Sequence, residues 1–343
     1  MKLQERIEIL GKLGDYLTNQ LTNPGEDWIK IVQQAQSRNQ WFTPENINCS
    51  ASAIAQNFLK PELLKNWAAH YGVGDEKSPK KVGIVMAGNI PMVGFHDLLC
   101  VFISGHTAIS KLSSKDDVLL KHLVELMKGW SPTIKDRILF TERLNDCDAY
   151  IATGSNNSAR YFQYYFGKYP SIIRKNRTSV AVLSGEETET ELLALADDIM
   201  LYFGLGCRNI TQIHVPNGYD FIPLLEALKK FSYYFNHPKY KNNFDYQLTI
   251  YIMNNLFYMT NESIVLIENE APFSPIGTLH YNYYNNETEV YEKFNNHPDI
   301  QTIVGKHALP FGTTQSPGLM NYADGIDVME FLNAVNPKPA IHS

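Results

Sequence analysis

The chain has 343 residues, 44% of them hydrophobic and 19% charged, with a formal net charge of -6. That length points to two domains, and the composition to a globular chain with enough apolar material for a sizeable core. The acidic balance and the lack of any basic stripe exclude nucleic acid as the expected partner, and no apolar run approaches a membrane span.

Residues 1–70 read as helical. Leu3, Ile7, Leu10, Leu13 and Leu17 stand close to helical spacing, so the start of the chain reads as an amphipathic helix and not as a secretory signal. Thr43-Pro44-Glu45 is a helix start, with a hydroxyl at the N-cap, proline in the first turn and an acid near the positive end of the dipole. Residues 75–81 are polar, contain Pro79 and read as a linker.

The texture then changes. Residues 81–88 form a short apolar run ending in glycine, the pattern of a strand buried on both faces of a parallel sheet. A helix is predicted over 96–104, a strand over 107–112 and a helix over 117–129. Strands follow over 137–141 and 149–152, then a helix over 155–166, a strand over 179–183 and a helix over 189–202. This alternation predicts an α/β, doubly wound domain. A second unit is read from Phe203 onward, with strands over 212–215 and 247–253 and a helix over 220–231. The Tyr- and Asn-rich stretch 233–297 reads as composition bias. The expected division is therefore 1–202 and 203–343.

Four cysteines, Cys49, Cys100, Cys147 and Cys207, contain no CxxC pair. Neither a disulfide framework nor a metal site is expected, and a reducing cytoplasm with thiols available for chemistry fits. GxGxxG, GxxxxGK[ST], GxSxG and HExxH are all absent, so a bound dinucleotide would use another loop.

Four segments carry candidate chemistry. Gly88-Asn89-Ile90-Pro91 follows the first buried strand, where α/β proteins bind ligands. The Asn89 amide can donate to an oxyanion, or Asn89 can be an ordinary turn residue. Residues 105–115 run from glycine to Lys111, Ser113, Ser114 and Lys115, groups suited to a cofactor ribose or its phosphate, or simply to a solvated strand end. Thr153-Gly154-Ser155 joins a strand to a helix, where amides and the helix dipole can face a phosphate; plain N-capping by Ser155 is the alternative. In Phe203-Gly204-Leu205-Gly206-Cys207-Arg208-Asn209 a cysteine stands among small and polar neighbours. Glycine permits close approach of a substrate, and Arg208 with nearby N–H groups can lower a thiol pKa. Cys100, inside Leu98-Leu99-Cys100-Val101-Phe102, instead fits a buried small hydrophobe.

In this order the four segments resemble the aldehyde dehydrogenase superfamily, and within it the long-chain acyl-CoA reductases of the LuxC type. The resemblance spans roughly residues 80–335 and includes residues 300–305, 315–319 and Tyr322-Ala323-Asp324-Gly325. It implies an aldehyde-dehydrogenase-like fold with a cofactor-binding and a catalytic domain. It implies Cys207 as nucleophile and Asn89 as oxyanion donor. It assigns Lys111, Ser113 and Ser114 to the ribose, and Thr153, Gly154 and Ser155 to the pyrophosphate. Hydrolytic relatives carry a glutamate base where this chain has Ser171-Ile172-Ile173-Arg174. A base that activates water would waste a thioacyl intermediate, so its loss favours a thioester reductase over an aldehyde oxidase. NAD-preferring relatives often carry a glutamate where Ser114 stands, followed here by Lys115. A 2′-phosphate is then not repelled, which favours NADPH with NADH as the alternative.

The implied substrate is an acyl-CoA or another acyl thioester, and the implied partner an acyl-transferring enzyme; the oligomeric state is left open. His96, His106, His214 and His280 are proton-donor candidates by chemistry alone, each read first as structural. The aromatic stretches 231–240 and 257–259 can line an acyl tunnel or belong to core and surface. Competing readings are a semialdehyde dehydrogenase, a cysteine acyltransferase or thioesterase, and a non-catalytic subunit of a fatty-acid reductase complex.

Overall fold

The computed structural model describes residues 1–75 and 78–335. Part of the 75–81 linker and the tail beyond 335 thus lie outside the described residues. Four helices open the chain: α1 (Leu3–Thr22), α2 (Glu26–Arg38), α3 (Pro44–Asn57) and α4 (Pro61–His70). Thr43 caps α3 as its sequence requires, its hydroxyl accepting from the Asn46 amide with Pro44 in the first turn. Then come β1 (Lys81–Val85), α5 (Phe95–Ile103), β2 (Thr107–Lys111), α6 (Val118–Trp130), β3 (Ile138–Phe140), β4 (Ala149–Thr153), α7 (Asn156–Phe166) and β5 (Ser171–Arg174).

After these follow β6 (Thr178–Val182), α8 (Glu189–Met200), β7 (Ile210–Pro216), α9 (Ile222–Leu228), α10 (Pro238–Met253), β8 (Tyr258–Thr260), β9 (Val265–Glu268), β10 (Thr278–Tyr284), α11 (Glu287–Phe294), β11 (Ile300–Gly305) and α12 (Val328–Val335).

The chain divides into two compact units. The first comprises residues 1–176 and 317–343, the second 177–316. The first holds a wholly parallel sheet in the order β3-β2-β1-β4-β5. Its core joins Leu13 and Leu17 of α1, Ile47 of α3, Val82 and Ile84 of β1, and Val328 and Leu332 of α12. The second holds the order β11-β6-β7-β10-β9-β8, parallel except for the β8–β9 pair.

Two readings need correction. Residues 247–253 are not a strand but the end of α10. In that window Leu248, Ile250 and Ile252 alternate, yet the buried residues of the whole element are Tyr240, Phe244 and Tyr251, which is helical spacing. The boundary expected at 202/203 falls instead at 176/177, and residues from 317 return to the first unit. The reason is pairing: β6 hydrogen-bonds to β7 and β11, which places it and α8 with the second sheet. The Tyr- and Asn-rich stretch 233–297 carries α10, α11 and three strands. β5 was not expected, because a four-residue edge strand leaves little periodicity to read.

Candidate active site

In the first unit the strand order reverses between β1 and β4, because the chain moves outward to β2 and β3 on one side before crossing to β4 on the other. Such switch points, at the carboxyl ends of the strands, are where open α/β sheets leave a crevice for a ligand. Val85, the last residue of β1, is in register with Lys111 of β2 and Ala152 of β4. The last residues of these strands and the loops that follow them carry all of the first unit's predicted residues.

Asn89 is exposed on the loop between β1 and α5. This loop is shaped by contacts that need small residues and by one unusual backbone angle. A Cβ on Gly88 would stand 2.5 Å from the Ser113 Oγ and 2.6 Å from its Cβ. Met92 takes a φ of 56°, a left-handed value that a side chain makes costly. Asp116, buried to 3% exposure, faces the Met92 and Val93 amides without closing a hydrogen bond at either carboxyl oxygen. Burial pushes its pKa up to about 7, the neighbouring amides pull it down, and Asp117 pushes it up. Sequence reasoning did not single out Asp116; the only sequence signal is an acid beside the Ser113-Ser114-Lys115 run.

Lys111 ends β2, and its carbonyl accepts from the Met86 amide at 3.0 Å, so the main chain is fixed while the side chain stands exposed. Ser113 packs against Gly88 and accepts from the Lys115 amide at 3.3 Å, whereas Ser114 and Lys115 are exposed.

Thr153 ends β4, and its Oγ1 is buried with no hydrogen-bond partner. A buried orphan hydroxyl at this position is the kind of group a ligand satisfies. A Cβ on Gly154 would lie 2.9 Å from both Ser158 Cβ and Phe162 Cε2, so only glycine lets the chain enter α7 this closely. Ser155 caps α7, accepting from the Ser158 amide at 3.2 Å. The capping alternative is therefore realised for the Ser155 oxygen. The orphan Thr153 hydroxyl, at the entrance to α7, fits a phosphate-bearing ligand.

Arg174 ends β5 in register with Thr153. It is 3% exposed and its Nη1 bonds both Asp97 oxygens, at 2.9 and 2.7 Å. Burial lowers its pKa, but the Asp97 carboxylate more than offsets this and holds the guanidinium charged. The stretch matched to the hydrolytic base, 171–174, thus ends in a cation engaged with α5.

Cys207 belongs to the second unit. It is half-buried on a turn between α8 and β7, and none of the four cysteines forms a disulfide. After α8 the chain takes three consecutive left-handed residues: Tyr202 (φ 56°), Phe203 (φ 59°) and Gly204 (φ 72°). Two aromatic side chains at such angles are strained, and burial holds them there. Phe203 packs on Tyr234 with ring centroids 4.1 Å apart and on Tyr240 at 5.8 Å. Phe231, Tyr234 and Tyr240 are therefore core aromatics behind the Cys207 turn, whereas Tyr233 is 51% and Phe257 75% exposed.

Beyond Cys207 the turn closes on Asn209, which is fully buried. Asn209 Oδ1 accepts from the Gly206 amide at 2.7 Å, and the Asn209 amide N–H donates to the Gly206 carbonyl at 3.1 Å. The Cys207 carbonyl accepts from the Ser179 hydroxyl at 3.1 Å.

The four histidines all make structural bonds. His96 pairs with the Leu319 carbonyl at 3.0 Å, His106 with the Lys80 amide at 3.2 Å, His214 with the Gln212 amide oxygen at 3.2 Å and His280 with the Ala271 carbonyl at 2.7 Å. Tyr322, in the C-terminal motif, accepts from the Trp67 indole and donates to the Tyr71 hydroxyl, each at 3.0 Å. That motif is thus tied into the first unit's core. Among the described residues no group of three or more His, Cys, Asp or Glu is placed to hold a metal ion, and no helix is long and apolar enough to cross a membrane.

No protein-family model matches the chain. In sequence it is similar to the long-chain acyl-protein thioester reductase of Aliivibrio fischeri, 24% identical over 221 residues, 57% of this chain and 46% of that protein. The match therefore spans less than half of that relative. In structure it is similar to an aldehyde dehydrogenase of Bacillus cereus solved with NAD+, at a TM-score of 0.61 and 13% identity, covering 87% of this chain and 70% of the other. It is similar, too, to an indole-3-acetaldehyde dehydrogenase of P. syringae solved with NAD+, at a TM-score of 0.61 and 12% identity over 87% and 70% of the two chains. Aldehyde dehydrogenase 21 of Physcomitrella patens gives a TM-score of 0.60 at 12% identity over 86% and 71%. The chain thus has the fold of the aldehyde dehydrogenases, and its sequence resembles a long-chain acyl thioester reductase.

Proposed function

We propose that this chain reduces a fatty acyl thioester to the aldehyde with NADPH, through a covalent thioacyl intermediate on Cys207. The observation that carries the reading is the Cys207 turn. A half-buried thiol follows three left-handed residues and is braced by buried side chains, an expense of conformation that a merely space-filling cysteine does not need. Sequence similarity to an acyl-protein thioester reductase supports the choice of substrate class.

The Cys207 thiolate attacks the thioester carbonyl. The Asn89 side-chain amide and the Cys207 backbone N–H serve as donors to the tetrahedral oxyanion, each worth on the order of 3 kcal/mol in the barrier. The leaving group departs as a thiolate, which needs little acid assistance. Lys111, Ser113, Ser114, Thr153, Gly154 and Ser155 are the residues that would hold the dinucleotide. The Thr153 orphan hydroxyl fits that assignment, and Gly154 lets the turn lie close against α7. When bound, the nicotinamide supplies the hydride that reduces the thioacyl carbon. Collapse of the resulting thiohemiacetal releases the aldehyde and restores Cys207. The stretch 171–174 carries no carboxylate to activate water, which keeps the intermediate for reduction. Exposed Ser114 and Lys115 favour the 2′-phosphate of NADPH over NADH.

The test follows NADPH absorbance with a ladder of acyl-CoA thioesters, for the wild type and for Cys207→Ala. Aldehyde formation with NADPH loss that vanishes in the variant supports the reading. Acyl transfer or hydrolysis without nicotinamide consumption replaces it with a cysteine acyltransferase or thioesterase.

A further inference from the structure

We infer that Asn209 is the positioning residue for Cys207, through a side-chain bracket that joins the end of α8 to the nucleophile's turn. The inference rests on the role proposed for Cys207. A helix leaves its last carbonyls without intrahelical partners, and the chain leaving α8 turns left-handed at once, so it supplies few amides to satisfy them. The Asn209 Nδ2 amide fills this gap. It donates toward the carbonyls of Asp198 (3.1 Å), Ile199 (3.2 Å) and Leu201 (2.9 Å). Its Oδ1 takes the Gly206 N–H, the amide directly before Cys207.

The bracket is anchored at both ends. The Asn209 carbonyl accepts from the Ser179 amide at 3.1 Å and from the Thr178 hydroxyl at 3.3 Å, which ties it to β6. The Asp198 carboxylate accepts from the Gly312 amide (2.6 Å), the Thr314 amide (3.1 Å) and the Thr314 hydroxyl (2.7 Å), so the helix end gripped by Asn209 is itself fixed. One side chain with a donor and an acceptor end is required. Asp lacks the donor, Leu lacks both, and a longer Gln cannot fit a fully buried site without displacing the turn.

Asn209 does not touch the reacting atoms in this role. It sets where the Cys207 Sγ and N–H stand, and a nucleophile displaced by about 1 Å can lose on the order of 100-fold in rate. Asn209→Asp keeps the acceptor and removes the donor. It is expected to lower the rate of Cys207 acylation by the best acyl-CoA of the ladder by on the order of 100-fold, with little change in KM. Alkylation of Cys207 by iodoacetamide, which needs access but no defined attack geometry, is expected to hold or to rise. Peptide mapping assigns the alkylated cysteine, and hydrogen exchange at the β7 amides as slow as in the wild type shows that the variant's second unit is folded. An acylation rate and kcat equal to wild type would overturn the inference while leaving the reductase reading intact.

A second measurement covers a variant that fails to fold, and a wild type that no thioester acylates. In the wild type the Gly206 amide should exchange with solvent as slowly as the amides of β7. Exchange at the rate of an open loop would overturn the inference, and slow exchange sustains the Asn209 bracket on the Cys207 turn whichever acyl chemistry Cys207 performs.

Discussion

Removing the carboxylate from the Asp97–Arg174 pair should destabilise the first unit far more than loss of a surface ion pair. The Arg174 side chain is 3% exposed and that of Asp97 11%. Arg174 Nε and Nη2 already lack partners, so Asp97→Ala would add Nη1 to them and leave the buried guanidinium without its bidentate counter-ion. Breaking such a pair typically costs about 3–5 kcal/mol. With a urea slope of about 3 kcal/mol per M for a unit of this size, the midpoint should fall by roughly 1–1.7 M. The assay is selective by construction, because all four tryptophans (Trp28, Trp41, Trp67 and Trp130) lie in the first unit and their fluorescence follows it alone. Replacing both charges, as Asp97→Leu with Arg174→Met, should recover most of the loss, since no unpaired charge remains. A loss below about 1 kcal/mol for the single variant, or a double variant no more stable than the single, would refute this reasoning.

Other outcomes follow from the same geometry. Asp116 is raised in the folded state to about 7 from an ordinary 3.8, so the folded chain holds a proton that the unfolded chain has lost. Stability should therefore fall as pH rises from about 4 to 7, by a few kcal/mol at most, and the fall should be absent in Asp116→Asn when unfolding midpoints are compared across pH. His214, lowered by burial to about 4 from 6.5, acts in the opposite direction: stability should fall as pH drops from about 6.5 to 4, and His214→Gln should flatten that limb of the same profile. Gly154→Ala should weaken NADPH binding by about 10-fold or more in a fluorescence titration, because the added Cβ meets Ser158 and Phe162 at 2.9 Å; unchanged affinity would remove the Thr153–Ser155 turn from the cofactor site. Ser114→Glu should raise the KM for NADPH by roughly 10-fold while sparing NADH, through repulsion of the 2′-phosphate; equal effects on both would refute the specificity assignment.

Much of the first unit was legible because parallel strands buried on both faces announce themselves as short apolar runs. The run 81–88 is read this way and contains β1, the strand readings 107–112 and 149–152 meet β2 and β4, and the glycines, Asn89 and Lys111 next to them mark the carboxyl edge. What failed was information held outside the local window. Residues 247–253 alternate within seven positions but are helical over sixteen. The move of β6 to the second sheet depends on hydrogen bonds to β7 and β11, to which its own residues give no clue. Asp116 and Asn209 escaped notice for a related reason. An acid after a serine pair, or an asparagine before a strand, looks like ordinary turn chemistry until its burial is known.

The left-handed run at Tyr202, Phe203 and Gly204 makes the thiol's geometry conditional on the folded state. Local backbone preference opposes these angles at the two aromatic residues, and the tertiary packing of Phe203 on Tyr234 and Tyr240 overrides it. A peptide covering the turn alone would relax to right-handed angles and present Cys207 as an ordinary thiol. Folding of the second unit and the arrangement of the Cys207 thiol are thereby coupled: a partly opened unit would lose that arrangement before the chain unfolds as a whole, so an incompletely folded copy would carry the cysteine without the chemistry proposed for it.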